Sequence, residues 1–261
     1  MSASPILRAR GLCKRFGGLA AVTNVSLDLH VGQVHAVIGT NGAGKSTLTN
    51  LLSGDLPPTS GSIRYGGREV AGLPSHRISR LGIGRSYQKT NIFLPFTVFE
   101  NVRLAAQSRK PRLWQIWRDA TRYVDVNAAA ARAISAAGLE DQKHTVADAL
   151  SHGEQRQLEI AMCLATEPKV LLLDEPLAGM GALESEAIVA LIARLRAEHA
   201  IMLIEHDMDA VFAVADHLTV MVNGAVLETG TPAEVRASPV VQAAYLGDSF
   251  ANDGVGGKAA S

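Results

Sequence analysis

Val34-His35-Ala36-Val37-Ile38 is a β-rich apolar run that stops at Gly39-Thr40-Asn41-Gly42-Ala43-Gly44-Lys45-Ser46, and Lys45 to Ser53 then has helical composition ended by Gly54. Strand, glycine loop, helix is the order in which a phosphate-binding loop works, and these residues match G-x-x-x-x-G-K-[ST]. Glycines at 39, 42 and 44 let the backbone curl so that successive N–H groups, those of Asn41 and Ala43 among them, point inward at phosphate oxygens. The following helix adds the positive end of its dipole. Lys45 is then placed to neutralise β and γ phosphates, Ser46 to offer a hydroxyl to Mg2+, and Thr47 to add a contact to the α-phosphate.

The complement of such a loop is an acid at the carboxyl end of an apolar strand, where open parallel sheets place ligands. Val170-Leu171-Leu172-Leu173-Asp174-Glu175 supplies it. Asp174 suits Mg2+, and Glu175, one residue on, suits polarising the water that attacks a γ-phosphate.

Outward from these two stretches, Ile6 to Arg10 and Val25 to Leu29 read as short strands, the second alternating in the manner of a half-buried antiparallel sheet. Pro57 to Gly61, Ser62 to Tyr65 and Gly66-Gly67 read as a turn and hairpin. From Thr97 to Ala165 the texture becomes alanine-rich and helical, a helical lobe. Strands return at Val170 to Leu173, Ala200 to Ile204 and Leu218 to Val222, separated by helical Leu183 to Glu198 and Met208 to Val214, which implies a mostly parallel sheet. Phe250 to Ser261 is glycine-rich and is expected to fray.

Composition narrows the class. The chain has 261 residues, 47% hydrophobic and 19% charged, with 25 basic and 25 acidic side chains. That is an aliphatic globular chain whose net charge of +0 gives nucleic-acid binding no general electrostatic support. Mean hydropathy is high at +0.12, yet its apolar runs are strand length and far below the roughly 18–20 residues of a spanning helix. The amino end has basic residues but no apolar signal segment, so no export is expected and the chain should stay in the cytoplasm. Cys13 and Cys163 lie far apart with no CxxC, against a disulfide scaffold or zinc site, and both are expected as small buried hydrophobes.

Many phosphate-loop proteins share these parts; the discriminating stretch is Leu150-Ser151-His152-Gly153-Glu154-Gln155-Arg156-Gln157. Alone, Ser151 reads as a helix N-cap. Before Asp174 in chain order, the stretch resembles the LSGGQ signature of ATP-binding cassette (ABC) ATPases, with His152 for the usual glycine and Glu154 for the usual glutamine. The resemblance covers residues 6 to 247. It implies an α/β fold: a P-loop NTPase (RecA-like), mostly parallel sheet with an antiparallel β subdomain and an α-helical subdomain. The implied division is 1–96 and 166–235 for the nucleotide-binding core, 97–165 for the helical signature subdomain and 236–261 for a tail.

On the same resemblance Phe16 stacks on adenine, Gln88 is the glutamine that joins sheet to helical lobe and senses Mg2+, and His206 is the switch histidine that contacts the γ-phosphate. Ser151 and Gly153 touch the γ-phosphate held by a second ATPase subunit, a copy or a paralogue. Gly181 stands where many members have the D-loop aspartate, so no catalytic residue is assigned there. Lys14 to Val22, Leu158 to Ala161 and Val241 to Gly247 resemble the longer ATPase subunit of bacterial branched-chain amino acid uptake systems (LivG-like), as does the 105–128 segment with Trp114 and Trp117. This implies a peripheral protein on the cytoplasmic face of the inner membrane. Its partners would be two transmembrane permease subunits and, indirectly, a periplasmic substrate-binding protein. Urea or amide import, a soluble ABC ATPase acting on nucleic acid or ribosomes, and a non-catalytic cassette are the competing readings. Arg109 to Arg112 reads as a solvated basic loop, and His76, His144 and His199 show no ligand spacing.

Overall fold

The structure, a computed structural model, describes residues 4–86, 91–109 and 123–243. Two sheets organise it. The first is antiparallel, in the order β2 (Leu19–Leu29), β1 (Leu7–Phe16), β4 (Ser60–Tyr65), β5 (Arg68–Glu69). The second runs β10 (Ala225–Gly230), β9 (His217–Val222), β3 (Val34–Gly39), β8 (Ala200–Ile204), β7 (Val170–Asp174), β6 (Ile83–Arg85), parallel except for the β9–β10 pair. The α/β class with an antiparallel subdomain is therefore as expected.

The parallel strands read as unbroken apolar runs because both faces are covered. Val34, Ala36, Ile38, Leu171, Leu173, Ile201 and Leu203 point to one core, whereas Val37, Val170, Leu172, Ala200, Met202 and Ile204 point to the other. The first core receives α3 (Val98–Arg109), α4 (Val124–Ala137), α5 (His152–Ala165), α6 (Ala182–Leu195) and α7 (Met208–Val214). The second receives α1 (Lys45–Ser53), α2 (Ser75–Leu81) and the antiparallel sheet. Each fully buried leucine or isoleucine in these layers is worth about 1.5–3 kcal/mol of transfer free energy.

Several elements differ from expectation. β1 and β2 are about twice as long as read, because their pairing continues through register shifts between Ala9 and Leu12 and again to Arg15. Such bulges break the period-2 pattern that a sequence reading follows. α8 (Pro232–Ala237) and α9 (Pro239–Val241) continue the packed chain past residue 235, and Val241 is buried. Cys163 is buried, its thiol pushed up to about 12 by desolvation, but Cys13 is only half-buried and its sulfur accepts a hydrogen bond from Asn24 N at 3.3 Å. Arg109 is no solvated loop residue: its guanidinium donates to Thr166 O at 3.0 Å and pairs with the Glu167 carboxylate. Residues 110–112, Trp114, Trp117 and the 250–261 segment lie outside the described residues.

One buried titratable group beside the sheet gives a stability prediction. His35 on β3 meets Thr219 Oγ1 at 2.8 Å, and burial, followed by repulsion from His217, pushes its pKa down to about 4. A lowered folded pKa means that the unfolded chain binds the extra proton between pH 6.5 and 4, so stability falls as pH drops through that window. The expected loss between pH 7.5 and 5 from this group is about 2 kcal/mol. His35→Gln, whose amide still partners Thr219, is expected to flatten that component in urea titrations at the two pH values. An unchanged pH dependence would refute the assignment.

Candidate functional site

Because β3, β7 and β8 are parallel neighbours, their carboxyl ends lie side by side: Val37 and Asp174 are both register partners of Ile204. The glycine loop, Asp174-Glu175 and Glu205-His206 therefore emerge at one edge of the sheet, the edge where ligands sit in open α/β sheets. The loop returns tightly into α1. A Cβ on Gly39 would lie 2.3 Å from Met221 O, and one on Gly44, at φ +96°, would lie 2.4 Å from Ala21 O. Only glycine fits at either place. The β9–β10 turn locks the loop from behind, Gly224 N donating to Ala43 O at 3.1 Å and Thr23 N to Gly224 O at 2.7 Å.

These elements line a cleft of about 630 Å³ formed by Phe16, Leu19, Ala20, Ala21, the continuous run from Asn41 to Thr47, Glu175, Asn223 and Gly224. Phe16 is half exposed at its mouth, with Lys14 Nζ 5.2 Å from the ring centroid. Lys45 is buried, and its ammonium donates to Gly39 O at 2.6 Å and Thr40 O at 3.1 Å. Burial lowers its pKa, while the Glu175 and Asp174 carboxylates oppose that shift.

Asp174 is almost wholly buried, and desolvation raises its pKa against the pull of Arg85, which reaches Asp174 Oδ2 at 3.4 Å. Its other oxygen, Oδ1, is buried and meets no hydrogen-bond donor among the described residues. That unspent lone pair, with the exposed hydroxyl of Ser46, is the donor set of a hard cation that takes few protein oxygens and fills its shell from phosphate and water. No cluster of three or more His, Cys, Asp or Glu side chains among the described residues could hold a metal by itself. His206 stands exposed past β8, its ring 3.7 Å from the buried Glu205 carboxylate, which also accepts from Leu177 N at 2.7 Å. Burial raises the pKa of Glu205. Gln88 lies outside the described residues.

Ser151 and Gly153 are not brought to this cleft. They line a second one with Glu154, Gln157, Leu183 and Glu184, and the two linings share no residue. Ser151 caps α5 in a full capping box: its Oγ accepts from Glu154 N at 3.2 Å and Glu154 Oε2 accepts from Ser151 N at 2.8 Å. The Glu154 departure from glutamine is thus accommodated by the local helix start. Gly153 N donates to Glu184 Oε1 at 3.0 Å, and the same carboxylate accepts from Gly181 N at 3.3 Å. Carboxylates of this chain therefore occupy the signature N–H groups.

Sequence reasoning missed Arg85, Glu205, Glu184 and the loop-locking turn at Asn223-Gly224. Arg85 Nη1 also holds Asn50 Oδ1 at 2.5 Å and Asp55 Oδ2 at 2.8 Å, partners some thirty residues away that no local pattern reveals. The Asn-Gly pair was a legible turn signal.

Comparison with known proteins agrees with this geometry. Residues 22–178 match the ABC transporter family, and residues 225–251 match the branched-chain amino acid ATP-binding cassette transporter family. The chain is 42% identical over 259 residues to the high-affinity branched-chain amino acid transport ATP-binding protein BraF of Pseudomonas aeruginosa, covering 94% of this chain and 99% of that one. It is 40% identical over 252 residues to LivG of Escherichia coli K12, again covering 94% and 99%. The crystal structure of an ATP-binding cassette of an ABC transporter in its ADP conformation superposes with a TM-score of 0.83 at 28% identity, covering 94% of this chain and all of the other. With its phosphate loop at the head of α1, its acid pair at the end of β7 and its capped signature helix, and with relatives 40–42% identical along 94% of its length, the chain belongs to the ABC transporter ATP-binding proteins, within their branched-chain amino acid group.

Proposed function

We propose that two ATPase subunits, two copies of this chain or a copy and a paralogue, close head to tail around two ATP molecules and thereby drive a pair of transmembrane permease subunits. The observation that carries the reading is the separation of the two half-sites: the phosphate-loop cleft and the signature cleft share no lining residue. A signature serine and its helix-start N–H groups make an anion site that works on a nucleotide brought by the other chain. No helix among the described residues is long and apolar enough to cross a membrane, which fits a peripheral subunit on the cytoplasmic face. Whole-length relatives named for branched-chain amino acid transport support those amino acids as the cargo of the assembly.

Within each composite site the chain's groups divide the work. Phe16 offers a π-face to adenine, and the Asn41 to Thr47 backbone and Lys45 hold the phosphates. Ser46 and Asp174, with Gln88, would hold Mg2+, which when bound would neutralise phosphate charge. Glu175 orients and polarises the water whose oxygen attacks the γ-phosphorus as the bond to the ADP oxygen breaks; the water's proton passes to its carboxylate. His206 contacts the γ-phosphate from the next strand. The Ser151 hydroxyl of the second subunit accepts from Glu154 N and keeps its own O–H to donate to a phosphate oxygen, whereas the Gly153 N–H must leave Glu184 to do so, so closure is coupled to nucleotide occupancy. The signature begins α5, within the proposed 97–165 helical subdomain, which with the proposed nucleotide-binding core of 1–96 and 166–235 makes up the cassette.

The test is the dependence of ATPase rate on subunit concentration. With each site completed in trans, turnover per chain is expected to rise with concentration and saturate, for the chain alone or titrated with its paralogue. A rate per chain that stays constant under dilution would contradict the composite site.

A further inference from the structure

We propose that Arg156, braced by Glu159, is a positioning residue for Glu175, carrying the placement of the signature helix into the residue that polarises water. The proposal rests on the reading of Glu175 above. Arg156 opens the second turn of α5, three residues past Gly153, and is buried. Its Nη2 donates to Glu175 O at 2.8 Å, its Nε donates to Pro176 O at 3.2 Å, and its Nη1 pairs with the buried Glu159 carboxylate one turn on. Glu159 in turn accepts from Asn91 N at 3.1 Å.

What this guanidinium holds is an uncommon backbone. Glu175 has φ +49°, a left-handed conformation that a non-glycine residue keeps only where its surroundings enforce it. On the sheet side, Glu175 N donates to Ile204 O at 2.9 Å, and the buried Glu205 accepts from Leu177 N at 2.7 Å. On the helical side, Arg156 takes the carbonyls of Glu175 and Pro176, alongside the Ala178 N–H that meets Glu175 O at 3.2 Å. The turn bearing the carboxylate is thus held between β8 and the signature helix. A buried ion pair is a weak stabiliser compared with apolar side chains of the same volume. An apolar pair cannot donate to two carbonyls. The planar fork of an arginine can do so while remaining neutralised by Glu159. Because Gly153 and Arg156 lie within one turn of each other on α5, any shift of α5 on engaging the opposite nucleotide moves the anchor of Glu175.

The experiment compares the full-length wild type with Arg156→Met/Glu159→Gln and with Glu175→Gln, reading thermal midpoint, ATP KM and kcat per nucleotide-binding-competent chain. Met keeps the apolar stem of Arg156 without a stranded charge, and Gln keeps an oxygen for Asn91 N–H. The double variant is expected to melt with the wild type and to keep KM within about twofold, while kcat falls on the order of 10–100-fold, the scale of a misplaced catalytic group. Wild-type kcat in the double variant, or a kcat loss that only tracks a lowered melting point and a raised KM, overturns the proposal. Loss of turnover in Glu175→Gln alongside wild-type kcat in the double variant sinks the positioning role alone. Wild-type turnover in Glu175→Gln sinks the underlying reading and the positioning role with it.

Discussion

Glu175→Gln is expected to lower ATP turnover by ~10²–10⁴-fold, the contribution of a positioned general base, while leaving ATP affinity within a small factor of wild type. The reason is local. Glu175 lines the phosphate-loop cleft, and its backbone is fixed by Ile204 and Arg156, so an amide of the same shape occupies the same place. The amide cannot take the proton of the attacking water. Binding energy that closes the two subunits is retained and the exit step is removed, so ATP should hold Glu175→Gln subunits together, visible as an ATP-dependent doubling of mass in sedimentation. Turnover at the wild-type rate would remove Glu175 from the reaction.

Lys45→Met is expected to act on the opposite side of the cycle. The ammonium donates to Gly39 O and Thr40 O, which places its charge at the floor of the cleft. Removing it deletes charge-assisted hydrogen bonds to the phosphates, about 2–3 kcal/mol, or on the order of 100-fold in ATP affinity. Equilibrium binding of a fluorescent ATP analogue measures this; affinity within twofold of wild type would show that the loop N–H groups alone hold the nucleotide. The two variants separate binding from chemistry, because one loses affinity and the other loses turnover.

The parts of this protein that could be read from residues alone are those whose chemistry is local. The 34–53 stretch dictates its own strand, loop and helix, and its glycines at 39 and 44 sit where a Cβ would strike Met221 O and Ala21 O. The Leu-rich run to Asp174 reads correctly because a strand buried on both faces has no polar residue to confuse it. Short and half-polar elements were not legible: α2 begins Ser75-His76-Arg77, and β6 has three residues and is a strand only because β7 pairs with it. β10 is nowhere fully buried, so its pattern carries little signal.

The same distinction holds at the site. Lys45, Ser46, Asp174 and Glu175 announce themselves by motif. Arg85, Arg156 and Glu205 do not, since each acts through partners distant in the chain: Arg85 through Asp55 and Asp174, Arg156 through Glu175 and Pro176, Glu205 through Leu177. Their burial is what singles them out, because a charged side chain withdrawn from water must have work or a partner to keep it there. The signature was legible as a pattern, but its engagement with Glu154 and Glu184 is a property of the folded chain.

Nucleotide hydrolysis at this site powers import of branched-chain amino acids. The most direct measurement is uptake of radiolabelled leucine, isoleucine and valine by cells that carry either the wild-type chain or Glu175→Gln as their only copy, with urea uptake followed in parallel. Glu175→Gln is expected to abolish accumulation of the three amino acids and to leave urea uptake unchanged. Undiminished branched-chain amino acid uptake, or loss of urea uptake in its place, would show that hydrolysis at this site does not power their import.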